Sequence, residues 1–219
     1  VQLRIIGMYT FGKAGPWGQA SQYNVYDADG RAQAGDSGPN TQTGLLYVFN
    51  QWRLNNALPN NNINGHDAAQ LLSGHKFQGT VVGLAYLDAV CNPTYKASII
   101  QANNLPDSVI SSTMAHELGH LLGMQHDDLV PAPAPVNNKC VDSGTSKMFI
   151  MDSVSGMTPH TDWSACSVAW MVSHFTGGSK YNAVNYPACA ESFPASNFSV
   201  SAPVCGNGVR EAGEECDCP

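Results

Sequence analysis

Charge is scarce in this chain. Asp, Glu, Lys and Arg make up 12% of its 219 residues, about half the usual share of a soluble domain. Basic residues are the scarcer kind, with 10 Lys and Arg against 17 Asp and Glu and a net charge of −7. That balance offers no basic footprint to nucleic acid or to an anionic membrane surface, and it excludes both as partners. Long apolar runs are missing too. No stretch approaches the ~20 residues needed to cross a bilayer, and the sequence opens in a strand-like segment rather than in a signal peptide. Internal repeats are also absent, which sets aside repeat architectures.

What is present is enough apolar material for one substantial core and a small appendage, at 43% hydrophobic residues. Seven cysteines fit an oxidising compartment better than the cytosol. Asn197-Phe198-Ser199 is an N-glycosylation sequon and agrees with an extracellular, glycosylated chain.

The chemistry is concentrated in His116-Glu117-Leu118-Gly119-His120-Leu121-Leu122-Gly123-Met124-Gln125-His126-Asp127. On an α-helix His116 and His120 are one turn apart and project from one face, so both imidazoles reach a single metal ion. Glu117, one position on, lies beside that ion, where a carboxylate can take a proton from a metal-activated water. Gly123 can adopt positive φ and end the helix, which lets the chain turn back and present His126 as third ligand. Three protein ligands leave a fourth position for water, as in a catalytic rather than a structural zinc site. The motif predicts Zn²⁺ and peptide-bond hydrolysis.

The rest of the chain alternates between strand and helix patterns and predicts an α/β fold. Val1–Phe11 reads as a strand, and Gly12–Asn40 as a long surface excursion. Thr41–Asn55 reads as an amphipathic helix through Leu45, Leu46, Val48, Phe49 and Trp52. Strands are expected near Ala68–Ser73, Thr80–Leu87 and Ala97–Ala102. The motif helix starts at Pro106-Asp107, with Val109, Ile110, Met114, Leu118, Leu121 and Leu122 as its apolar face. Ser164 is positioned to cap a last helix, Ala165–Phe175, and Pro194–Pro203 reads as a linker. His66, His75 and His174 lack metal-like spacing and read as structural; His160 reads as a surface or pocket-wall residue.

The extended motif resembles that of the metzincin metallopeptidases, whose further hallmark is a methionine-containing turn downstream of the third ligand. Phe149-Ile150-Met151-Asp152 stands at a suitable distance, which makes Met151 the candidate to pack beneath the zinc. The aspartate directly after the third histidine is similar to the adamalysin (reprolysin) branch, the snake-venom metalloproteinases and ADAM ectodomains. Gly65–Ser73 and Gly83–Cys91 look like strand segments of that branch, and Val204–Cys218 looks like the opening of a disintegrin domain. Two departures stand out. The branch ordinarily carries a strand and a long helix before the segment at Val1–Phe11, and neither is in this sequence. Asp142 and Phe149 also stand where relatives often have two further cysteines.

The resemblance implies a twisted mixed sheet with a zinc helix and methionine turn over residues 1–193, a linker at 194–203 and a small, loop-rich, truncated disintegrin segment at 204–219. It implies zinc held by His116, His120 and His126, with Glu117 as general base, and disulfides Cys91–Cys189 and Cys140–Cys166. An extended substrate would pair with an edge strand at Thr80, Val81, Val82, Gly83, Leu84 and Ala85, with a side-chain pocket walled by Val154–Thr161. Asp127 would be either a structural anchor of the site or an exposed loop carboxylate, and Asp128 a solvated one. In the tail, Val204, Asn207, Val209, Glu211, Glu214 and Asp217 match a disintegrin-type Ca²⁺ site of hard oxygen donors. The implied activity is an extracellular zinc endopeptidase acting on protein substrates. The alternative is an adhesion module that displays its disintegrin region to cell-surface receptors.

Overall fold

The computed structural model describes residues 32–35, 44–56, 66–90, 92–128, 148–154 and 159–175. The expected strand at Val1–Phe11, the linker and the tail segment lie outside these.

Apolar residues at helical spacing build α1 (Gly44–Asn56), which buries Leu45, Leu46, Val48 and Phe49. At its first turn Leu45 N–H donates to the Gln33 carbonyl (2.8 Å) and Leu46 N–H to that of Ala34 (3.1 Å), which satisfies donors that a helix start would otherwise leave open. Ala32 and Ala34 are accordingly buried, and Ala32 bridges in parallel to Phe77. This part of the expected surface excursion therefore belongs to the core. Small alanine side chains let an extended segment thread between α1 and the residues after the first strand. Gly44, at φ +78, has Gly35 where its Cβ would stand, so the two segments cross glycine on glycine.

Three strands form a sheet in the order β1 (Ala69–Ser73), β3 (Ala97–Gln101), β2 (Gly83–Ala85). β1 runs parallel to β3 with Leu71 opposite Ile99, and β2 runs antiparallel with Gly83 opposite Ile100. β3 is buried at every position, as a central strand covered on both faces must be. β2 is shorter than the Thr80–Leu87 expected. Thr80 stands in a turn, and the ladder is extended only by the Val82 carbonyl, which accepts from Gln101 N–H at 2.8 Å.

Helix α2 (Asp107–Leu121) follows Pro106 and packs on β3 and β2. Its buried stripe is Val109, Thr113, Glu117 and Leu121, spaced by four as one helix face requires. Ile110, Met114 and Leu118, expected on that face, are only half-buried. Thr113 is accommodated because its hydroxyl donates to the Val109 carbonyl one turn back. α3 (Ala165–Ser173) is capped by Ser164, whose hydroxyl oxygen accepts from Ser167 N–H at 2.9 Å. The described residues thus make a mixed α/β unit whose core joins Leu45, Leu46, Phe77, Ile99, Leu121 and Met151.

Candidate metal centre

Helix α2 carries His116 and His120 one turn apart, and the chain then reverses. Gly123, at φ +87, makes the reversal; its N–H donates to the His120 carbonyl, and Met124 N–H to that of Gly119. A side chain at Gly123 would be strained by its backbone and would collide with the ring of His174. The reversal brings His126 to within 3.2 Å (Nε2 to Nε2) of His116 and 3.1 Å of His120.

The outer nitrogens settle which atoms face inward. His116 Nδ1 lies 2.6 Å from the Ile150 carbonyl and His120 Nδ1 3.0 Å from that of Met124. A carbonyl only accepts, so both Nδ1 atoms carry the proton and both Nε2 atoms present lone pairs to the centre. Burial pushes His116 down to about 4 and His120 to about 3, and lowers His126 as well. The rings are neutral at physiological pH. With His126 Nε2 unprotonated as well, the three lone pairs converge where a cation can sit. Nitrogens ~2.0–2.1 Å from one tetrahedral zinc stand about 3.3 Å apart, so the residues present fit that ion. No other group of three or more His, Cys, Asp or Glu among the described residues could hold a metal.

Glu117 is 4% exposed, and its Oε2 has no hydrogen-bond partner among the described residues. Burial without a compensating donor pushes its carboxyl up to about 8. A buried carboxyl with a strongly raised value, close to a cluster of histidine nitrogens, is a candidate functional group.

The loop bearing His126 is clipped on both sides. Asp127 N–H donates to the Met151 carbonyl at 2.9 Å, and its buried carboxylate accepts from the hydroxyls of Ser164 and Ser167 at the start of α3. Burial pushes the Asp127 carboxyl up, and the two hydroxyls oppose that rise. Exposed Asp128 accepts from the Ser153 amide (3.0 Å) and hydroxyl, which overcome a burial effect of opposite sign and hold its carboxyl below the usual range. Asp128 is therefore tethered, not merely solvated.

Met151 is fully buried in a tight turn closed by Asp152 N–H on the Phe149 carbonyl. A Cβ at Gly119 would strike its sulfur. His160, expected at the surface or in a wall, is 8% exposed. Its Nδ1 faces the Phe149 carbonyl at 2.8 Å, and its backbone exchanges hydrogen bonds with the Ser112 hydroxyl of α2.

Of the expected substrate strand, Thr80 and Val81 are exposed, Val82, Gly83 and Leu84 half-buried, and Ala85 buried. Cys166 is buried and disulfide-bonded. Cys91, Cys140 and Cys189 lie outside the described residues, as do Val204, Asn207, Val209, Glu211, Glu214 and Asp217. Sequence reading missed Ser164 and Ser167 as partners of Asp127, and it missed the abutment of Gly83 on Glu117: a Cβ at Gly83 would lie 2.8 Å from Glu117 Cδ and 2.9 Å from Cγ. A glycine inside a strand was the available signal.

Comparison with known proteins agrees with this centre. The chain is 38% identical over 173 residues to a zinc metalloproteinase-disintegrin-like protein, atragin, of Naja atra. It is 35% identical over 173 residues to a zinc metalloproteinase-disintegrin-like protein of Cerberus rynchops. Each alignment covers 79% of this chain and 25% of the relative, so the chain spans about a quarter of the length of these curated relatives. Residues 39–187 match the family described as Reprolysin (M12B) family zinc metalloprotease, and with the histidine centre inside that span, the chain belongs to the reprolysin family of zinc metalloproteases.

Proposed function

We propose that the chain is the catalytic part of a zinc endopeptidase that cleaves extended segments of extracellular or cell-surface proteins. The observation that carries this reading is the convergence of three neutral imidazole nitrogens beside a buried carboxyl with an unpartnered oxygen. His116, His120 and His126 would hold the metal. When bound, zinc supplies Lewis-acid polarisation of the scissile carbonyl and acidifies water. Glu117 takes the proton of the attacking water and passes it to the departing amine nitrogen. The substrate main chain pairs with the edge at residues 80–85, which orients it and leaves selectivity to side-chain pockets. Asp127 and Met151 brace the loop and floor of the site.

Residues 1–193 form the catalytic domain on this reading, 194–203 a linker and 204–219 the start of a disintegrin-like domain with a Ca²⁺ site. The disulfide at Cys166 supports an extracellular setting; its assigned partner is Cys140, with Cys91 paired to Cys189. A second reading, a receptor-binding module with little proteolysis, draws on the disintegrin-like relatives.

Cleavage of an unfolded protein by zinc-loaded enzyme, beside Glu117→Ala and a chelated sample, separates the two. Activity lost in both controls supports the endopeptidase. A folded, zinc-containing sample without activity favours the binding module.

A further inference from the structure

Glycine weakens a strand, since it has no side chain to pack and the most backbone freedom to lose. Gly83 nevertheless occupies a paired position in β2, opposite Ile100. Backbone conformation does not call for it, because its φ lies outside the left-handed region that favours glycine. Space does. A Cβ built there overlaps Glu117 Oε1 and comes within 2.8 Å of Cδ and 2.9 Å of Cγ. Glu117 reaches this point from α2, which packs directly on β2, and it is held there almost wholly buried with Oε2 unpartnered.

We infer that Gly83 is a positioning residue: the missing side chain leaves a notch in the edge strand that seats the Glu117 carboxylate. The inference rests on the proposed role of Glu117 and adds to it what fixes the carboxylate's location. The strand then has two tasks, pairing with the substrate main chain and giving the carboxylate its depth. A methyl group at position 83 meets the movable end of one side chain rather than backbone, so the fold absorbs it and the carboxylate is displaced. Displacements of about 1 Å at a reacting centre lower rates by about 10²-fold.

The test is a double-mutant cycle on the zinc-loaded chain, read as kcat and KM separately, with metal content and thermal melting on each variant. Gly83→Ala is expected to lower kcat about 100-fold, with KM changed less than about twofold and zinc retained. Glu117→Asp shortens the carboxylate by one methylene, which makes room for the added methyl. The double variant is therefore expected to be no slower than Glu117→Asp alone, a non-additivity that a general loss of structure would not produce. Gly83→Ala should also melt lower than the parent in the wild-type background and unchanged in a Glu117→Ala background. Losses that multiply, an effect confined to KM, or a fully active Gly83→Ala beside an inactive Glu117→Ala would each overturn the notch while leaving Glu117 as base. Full activity in Glu117→Ala would overturn both.

Discussion

Among the buried polar clusters of the described residues, those around Arg53 and Glu117 are finished differently. In α1 the Arg53 guanidinium, 1% exposed, donates to Asn50 Oδ1 at 3.0 Å and to the carbonyls of Thr94 at 2.7 Å and Pro93 at 3.3 Å. Its remaining arm lies 3.3 Å from His66 Nε2. Burial lowers Arg53 only to about 10, so it stays charged and well partnered. In α2, Glu117 is nearly as deeply buried, yet one oxygen has no partner among the described residues, and the Nε2 atoms of His116 and His120 each stand within 3.2 Å of His126 Nε2. The first cluster is complete within the chain and holds α1 to the residues before β3. The second gathers three histidine nitrogens that could hold a metal ion. Burial alone does not distinguish these two clusters; satisfaction of their buried groups does.

Breaking the incomplete cluster should affect chemistry most. Glu117→Ala is expected to reduce kcat/KM by about 10³–10⁴-fold while the protein keeps its zinc, as peptide cleavage and metal analysis on one sample would reveal. Its stability should respond in the opposite direction. The folded metal-free protein holds the Glu117 proton up to about pH 8 whereas the unfolded chain releases it near the ordinary value of 4.5, so this group costs metal-free stability increasingly as pH rises between those values. Glu117→Gln should therefore raise the melting temperature of metal-free protein at pH 8 and leave it unchanged at pH 4.

Breaking the complete cluster should do the reverse. Arg53→Ala strands Asn50 and two carbonyls, and about 3 kcal/mol of stability should be lost in urea unfolding. Its kcat per folded molecule should stay within about twofold of the parent; a large loss in kcat would mean that the clusters communicate.

Acid sharpens the contrast. Without metal, His116 and His120 resist protonation down to about 4 and about 3, while in the unfolded chain they protonate near the ordinary value of 6.5. Unfolding therefore takes up protons in this window, and stability contributed by the neutral rings is lost as pH falls from about 6.5 toward those folded values. A metal-free melting series from pH 7 to pH 4 should show that decline, and His120→Gln should flatten it. Ser164→Ala should have the smallest effect, removing a cap and one Asp127 contact for about 1 kcal/mol by urea unfolding. A cost near zero would mean that Ser167 alone secures Asp127.

The metal centre was legible because its parts lie within twelve consecutive residues, where helical geometry converts spacing directly into direction. The mixed α/β character, α1 and the Ser164 cap were readable for the same local reason. What escaped depends on partners far along the chain. β2 keeps only Gly83–Ala85 of an eight-residue apolar run, because its length is set by pairing with β3. Ala32 and Ala34 looked like excursion residues, since nothing near them announces that Gln33 and Ala34 lend carbonyls to α1 or that Ala32 bridges to Phe77. The burial of Thr113 and Glu117 in place of Met114 and Leu118 shows the same limit. The face a helix turns inward is chosen by what it packs on, and here hydrophobicity alone pointed about one residue off.

The clips on either side of His126 have a thermodynamic consequence. His116 and His120 belong to α2, but His126 is moored through Asp127 to Met151 and to Ser164 and Ser167, some forty positions further on. An ion gripped by all three rings is thereby a cross-link between α2 and the segment leading to α3. Its binding energy would be withdrawn from any partly opened form in which that segment has left the helix. Each tenfold rise in free zinc above the dissociation constant would then add about 1.4 kcal/mol against that opening, and the resistance of the 148–175 region to proteolysis would follow the metal supply.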